Sequence, residues 1–345
     1  MALNKLNVLH LHLSDFCRYA VESRAFPLLT ANLTGLQGGV YSWADVAKVV
    51  AYAADRGIRV VPELDLPGHA RGLLPLEASA SLHFCTADAT RSQLFDDPGN
   101  RTFSVLATLL GELAALFPDP VLNIGSDETR SEGPCTLANT ASLERKVLAE
   151  VERLGKRPMA WVNALTTTKA AADYPRTILD TWATVYGMPD LVTAQGYSCV
   201  ASTYMYLNHI TGSVGNYTMY WRDIAPGVPP ATRAVLMLGG EISMWGDDYC
   251  YKAQCGASEG PTPVAAALYG PNQDDRFAAS VAGVAFPRAS VGAGSLWHYI
   301  AGLDPTSPRF RGAMALQNAR MTARGLDTCP FNCSCDQLTR CGRPY

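Results

Sequence analysis

The chain has 345 residues, of which 48% are hydrophobic and 17% charged, with a formal net charge of -3. This length and apolar content exclude a small module and a disordered chain, and they suffice for one large domain with its own core. The charge argues against a nucleic-acid binder, which favours a basic excess, and no apolar run reaches the roughly 18 residues a membrane span needs.

Leu6–Leu13 reads as the first strand. Ser42-x-x-Asp45 resembles a capping box with Asp in its third place, opening a helix through Asp55 with Val46, Val49, Val50 and Ala53 on one face. Ile58–Asp65 is a buried-strand run, followed by a long loop with Pro67, Gly68 and Cys85. Phe103–Phe117 is an apolar-striped helix, Val121–Asp127 a strand and Leu143–Leu154 a helix. Arg157–Asn163 and Thr177–Ala183 are strands, Met188–Gln195 a short helix and Cys199–Tyr204 a strand. Ala234–Trp245 is the last strong strand signal, before helices near Arg276–Ala282, Gly292–Ala301 and Phe310–Gly325.

Apolar strands alternating with helices imply an α/β fold with a covered parallel sheet. Seven strand–helix units are visible, whereas a closed (β/α)8 TIM barrel needs eight. The first strand starts almost at residue 1, so the expectation is a barrel lacking its first strand in this chain. Residues 1–325 would form the barrel and 326–345 a Cys-rich tail. The rival is a doubly wound sheet. Against it, polar residues close every strand instead of gathering at one switch point.

Ten cysteines and four N-x-S/T acceptors, at Asn32, Asn100, Asn216 and Asn332, favour disulfides, glycosylation and a secretory, lysosomal, vacuolar or extracellular route. A zinc site in the tail is the alternative, weakened because no His follows at ligand spacing. Residues 1–13 carry Lys5, His10 and His12 inside the apolar stretch and do not read as a signal peptide.

The strand ends supply His10, His12 and Asp15; Glu63, Asp65 and His69; Asn123, Asp127 and Glu128; Trp161 with Asn163; Trp182; Tyr206 with Asn208; and Glu241, Trp245 and Asp247. In a barrel these converge on one rim, and carboxylates among tryptophans suit a sugar. Taken singly, each has a plainer reading: a tryptophan at a strand end is commonly core, and His10 or His12 an interior histidine. A metal bound by His10, His12 and His69 is another reading, but Asp15 and His69 have a better use. The informative pair is Asp127–Glu128. Glycosidases with a protein nucleophile or base set two carboxyls about 5–9.5 Å apart on opposite sides of the sugar. Sequence neighbours with Cα atoms about 3.8 Å apart do not do this easily. An adjacent pair suits one carboxyl as proton donor and the other as support for a nucleophile carried by the substrate, such as a 2-acetamido group.

The motifs NKLNVLHLHLSD, YSWADVAKVVAYAADRGIRVVPELDLPGHA, FPDPVLNIGSDET, MAWVN, ILDTW, MYLN, GGEISMWGD and FPRASVGAGSLW occur in that order. With them the chain resembles the catalytic domain of β-N-acetylhexosaminidases, the family 20 glycoside hydrolases. The resemblance implies exo-hydrolysis of terminal β-linked GlcNAc or GalNAc with retention, through an oxazolinium intermediate. Glu128 matches the general acid/base, and Asp127 the residue that orients the acetamido group. Tyr206 matches the tyrosine that bonds the acetamido carbonyl, and Trp161, Trp182 and Trp245 match the pocket walls. Asp247 sits where an acid binds the 4- and 6-hydroxyls, and Asn208 where relatives tune recognition near the 6-position. Asp15 and His69 match residues linked to the general acid. Cys85 and Cys135 match a family disulfide. No cofactor or metal is implied.

The implied partners are oligosaccharide, glycoprotein or glycolipid glycans ending in N-acetylhexosamine; nucleic acid and a membrane span are not expected, and a homodimer is one option for the assembly. The family's Arg at the end of its first strand has no counterpart here. Asn123 stands where His is common, Ser126 where Gly is usual, Leu11 where Trp is common, Asn163 where an acid is common and Gly294 where Glu is typical. A catalytically impaired sugar-binding homologue and a chitinase-like endo-hydrolase are the alternatives. The second expects a D-x-x-D-x-D-x-E strand end, which NIGSDE does not provide.

Overall fold

The structure, a computed structural model, describes residues 1–16, 18–31, 40–86, 92–182, 188–207, 219–245 and 273–326, with side chains omitted at 273–284 and 287. Its frame is a seven-stranded sheet, every neighbouring pair parallel, in the order of the sequence. The strands are β1 (Val8–His12), β2 (Arg59–Leu66), β3 (Val121–Gly125), β4 (Arg157–Trp161), β5 (Ile178–Thr181), β6 (Ser198–Ala201) and β7 (Met237–Gly240). Longer helices are α1 (Trp43–Ala54), α2 (Arg101–Leu116), α3 (Leu137–Arg153), α4 (Met188–Ala194), α5 (Pro230–Leu236), α6 (Gln273–His298) and α7 (Pro308–Thr322).

The two faces of the strands explain the curl. Outward residues such as Leu64, Leu122, Ile124 and Leu179 pack with Leu106, Leu109, Leu110, Leu113, Val147 and Leu148 of α2 and α3 into one continuous core. Each fully buried aliphatic side chain contributes about 1.5–3 kcal/mol. Inward residues alternate with them by the period of two. Val61, Val121, Met159 and Ile178 form an apolar plug. Two residues further along the same strands, the inward side chains are Glu63, Asn123, Trp161 and Asp180, all buried. Among the described residues β1 and β7 are the sheet's edges, yet the curl brings His10 on β1 within 3.0 Å of Glu241 just past β7. This is the barrel-type curvature that the strand pattern predicts.

The capping box at α1 forms in full. Ser42 Oγ accepts from the Asp45 amide at 3.1 Å, and Asp45 Oδ2 accepts from the Ser42 amide at 3.2 Å. Three expectations need correction. The run from Ala234 is helical up to Leu236, because Pro230 at the first helical position opens α5; β7 is short and ends at Gly240. The two helices expected between Arg276 and Ala301 are one, α6. Helix α3 starts at Leu137, where Thr136 caps it by accepting from the Asn139 amide at 3.2 Å. Among the described residues no helix is long and apolar enough to cross a membrane.

Candidate active site

The site lies at the C-terminal ends of the strands, where chain direction and period two aim polar residues at one rim. After β3 the backbone turns sharply: Gly125, Ser126 and Glu128 all have positive φ, at 72°, 80° and 46°. A Cβ on Gly125 would overlap the Asp65 carboxylate, so glycine is required there. The turn directs Asp127 inward, with 14% of its side chain exposed, and leaves Glu128 outward at 53%.

His69 joins the acids. It lies in the loop after β2 with φ 49°. Its Nδ1 is 3.0 Å from Asp15 Oδ1, and its Nε2 is 3.4 Å from Glu128 Oε2 and 3.9 Å from Asp127 Oδ2. Its hydrogen bond with Asp15, against some burial, raises its pKa to about 9. His69 is therefore a cation at neutral pH. Asp15 also meets His12 Nε2 at 3.2 Å. Burial opposes the charge on Asp15, but the hydrogen bonds with His12 and His69 outweigh it and hold its pKa below the usual range.

Contacts continue into the barrel. His12 Nδ1 is 3.1 Å and His10 Nε2 2.7 Å from Glu63 Oε2, while Trp161 Nε1 donates to Glu63 Oε1 at 3.0 Å. Asn123 reaches His10 Nε2 at 3.2 Å. Burial disfavours the charge on His12, but Glu63 lifts its pKa to about 10. The Glu63 carboxylate, buried completely, is held ionised by the charges of His12 and His10. This layer alternates charge, as burial of ions demands.

Asp127 has a second carboxyl beside it. Burial pushes Asp65 well above its ordinary range, with the nearby Asp127 charge adding to the effect. Burial also raises Asp127, to about 6, while the His69 charge and a hydrogen bond from Asp65 pull it down. Of the two, Asp65 is the one pushed further up, so at neutral pH it keeps the proton and Asp127 the charge, a division expected of close carboxyls.

The aromatic residues fall into two groups. Trp161 is a floor, 1% exposed, packed at 6.0 Å from Trp245 and 5.8 Å from His10. Trp245 also stands edge-on to His12 at 5.0 Å. Trp182 is half-buried, and its Nε1 donates to Asn163 Oδ1 at 2.8 Å. Tyr206 bridges in parallel to Ser243 beyond β7, and Tyr220 Oη donates to its carbonyl at 2.8 Å. Burial and nearby acids raise the Tyr206 phenol, so it stays protonated. Cys85 and Cys135 form a disulfide with Cα atoms 5.4 Å apart, tying the loop after β2 to the loop after β3. Asn208, Asp247, Cys17, Cys250, Cys255 and the tail cysteines lie outside the described residues.

The structure thus gathers Asp15, His69, Asp127, Glu128, Trp161, Trp182, Tyr206 and Trp245 around one rim. The roles of Asp65 as proton holder and Glu63 as hub were not read from the sequence. Their period-two spacing with Val61 in Ile58–Asp65 was the available signal. His12, Glu63 and Asp65 approach closely enough to hold a cation, as do Asp65, His69 and Asp127. Members of both sets also pair with one another, His12 Nδ1 lying 3.1 Å from Glu63 Oε2 and His69 Nε2 3.9 Å from Asp127 Oδ2.

A curled parallel sheet with acids and tryptophans at its C-terminal rim is the arrangement of a barrel-type site. Residues 1–253 match the family model of the glycosyl hydrolase family 20 catalytic domain. Among similar proteins, β-hexosaminidase subunit A2 of Dictyostelium discoideum is 28% identical over 272 residues, 72% of this chain and 49% of that protein. The β-hexosaminidase subunit alpha of Bos taurus is 30% identical over 280 residues, 72% of this chain and 51% of that protein. The β-N-acetylhexosaminidase structure from Bacteroides fragilis superposes with a TM-score of 0.71 at 21% identity, covering 100% of this chain and 68% of that one. The chain belongs to glycosyl hydrolase family 20. It spans about half the length of the curated relatives it matches.

Proposed function

We propose that the protein is an exo-acting β-N-acetylhexosaminidase that removes terminal β-linked GlcNAc or GalNAc with retention. The observation that carries this reading is His69 standing between Asp15 and the neighbouring acids Asp127 and Glu128.

The reaction has two steps. In the first, the carbonyl oxygen of the substrate's 2-acetamido group attacks C1 from below, and the glycosidic C1–O bond breaks. The leaving oxygen takes the proton of Glu128. The acetamido group becomes a cationic oxazolinium, whose N–H is held and charge offset by ionised Asp127. Tyr206 donates from its phenol to the acetamido oxygen. In the second step Glu128, now a carboxylate, takes a proton from water, whose oxygen bonds C1 as the oxazolinium C1–O bond reopens. Protonated His69 orients Glu128, and Trp245, backed by buried Trp161, and Trp182 offer apolar faces to the sugar. Asn208 and Asp247 are assigned to the 4- and 6-hydroxyl side.

Substrates on this reading are oligosaccharide, glycoprotein or glycolipid glycans ending in N-acetylhexosamine. The Cys85–Cys135 disulfide supports a secretory route, where such bonds persist. Asn100 is an exposed acceptor whose Oδ1 receives the Lys146 ammonium at 2.9 Å. The test is release of aryl alcohol from an aryl β-N-acetylglucosaminide by wild type and by Glu128→Gln. The expected loss is at least about a hundredfold, the scale of general acid–base catalysis. Equal rates contradict the assignment. Tight thiazoline binding without turnover would point instead to a sugar-binding homologue.

A further inference from the structure

A buried carboxylate on α3 is not employed in this reaction. Glu144 is 1% exposed, and its neighbour Arg145 is turned away to Asp173 at 2.6 Å. An ionisable group buried without a cation at its side is costly, so its partners matter. Both are hydroxyls. Ser126 Oγ donates to Glu144 Oε1 at 2.6 Å, and Thr168 Oγ1 donates to Glu144 Oε2. Ser126 precedes Asp127 and holds φ 80°, a conformation that a residue with a Cβ adopts only when its surroundings impose it. Its amide reaches only weakly, at 3.3 Å, to Asp65 Oδ1. Thr168 follows the segment in which Asn163 receives the Trp182 indole.

We propose that Glu144 is a positioning residue: it clamps Ser126 in the left-handed conformation that directs Asp127 inward and sets Glu128 beside His69 at the rim, and through Thr168 it locks that turn to the segment holding Trp182. The inference rests on the hydrolase reading above. Burial raises the Glu144 pKa to about 7, and the two hydroxyls and Arg145 moderate the rise. Both ionisation states keep the clamp, since the carboxylate accepts from two hydroxyls and the acid accepts from one and donates to the other.

The clamp has a test that an ordinary stability role does not pass. Glycine adopts φ near 80° without help, so S126G removes the need for Glu144. We expect E144L to lower kcat on an aryl β-N-acetylglucosaminide at least tenfold with KM changed less, and E144Q to lower it less. The same E144L change made on S126G should cost less than threefold relative to S126G itself. If E144L does not fold, E144Q is read in both backgrounds in the same way. Equal losses in the two backgrounds, or no loss in either, overturn the clamp. A wild type that neither turns over the substrate nor binds the thiazoline overturns the proposed function instead, and the inference falls with it.

Discussion

Asp127 shows how one residue's surroundings set its task. On the proposed mechanism it must carry charge to hold a cationic intermediate, yet burial raises its pKa to about 6. Below about pH 6 Asp127 takes a proton and loses its attraction for the oxazolinium, so kcat/KM falls on the acid side as pH drops through that value. His69, raised to about 9, keeps its proton across the same range and sets no limb there. Asp127→Asn should lower kcat/KM at least about a hundredfold and remove the limb near pH 6, because the amide does not titrate. A pH–rate profile of the variant checks this; an unchanged acid limb would assign it to another group. The adjacency of Asp127 and Glu128 was readable in NIGSDE. The protonated Asp65 beside Asp127 was not, because burial and proximity arise only when β2 and β3 lie side by side.

At the scale of elements, strands and turns divide the work. Period-two alternation placed Val61 and Glu63, Val121 and Asn123, and Met159 and Trp161 on inward faces, and that alternation is visible in the sequence. The ends of elements were less legible. Strand β3 stops at Gly125, two residues before the expected end, since Gly125 itself and then Ser126 and Glu128 take left-handed conformations. Apolar pattern carries no signal for φ. The end of α5 lay hidden in what looked like a long strand from Ala234, because α5 exposes most of its apolar residues, Val235 at 73% among them. The turn after β3 yields its own expectation. Gly125→Ala forces a Cβ into the Asp65 carboxylate at φ 72°. It should destabilise the fold by about 1–3 kcal/mol and lower activity beyond that loss. Urea unfolding and kinetics on the same preparation separate the two effects; an unaltered midpoint would show that the turn relaxes freely.

Over the whole molecule, the sheet serves the site by curling. An apolar plug at one end of the strands lets the other end fill with paired charges, and those charges reach the rim through His12, Asp15 and His69. The seven-strand count and the order of the motifs along the chain foretold this architecture. The closeness of His10 to Glu241, 231 positions apart, could not be read from local pattern. It depends on curvature summed over every strand pair.

The central claim is that the substrate supplies its own nucleophile. The direct measurement is kcat/KM for an aryl β-glucosaminide series bearing acetamido, difluoroacetamido and trifluoroacetamido groups at C2. Fluorine withdraws electrons from the attacking carbonyl oxygen, so the rate should fall with each addition, by at least tenfold over the series. A rate indifferent to fluorine, accompanied by a sugar bonded covalently to the protein, would contradict the account.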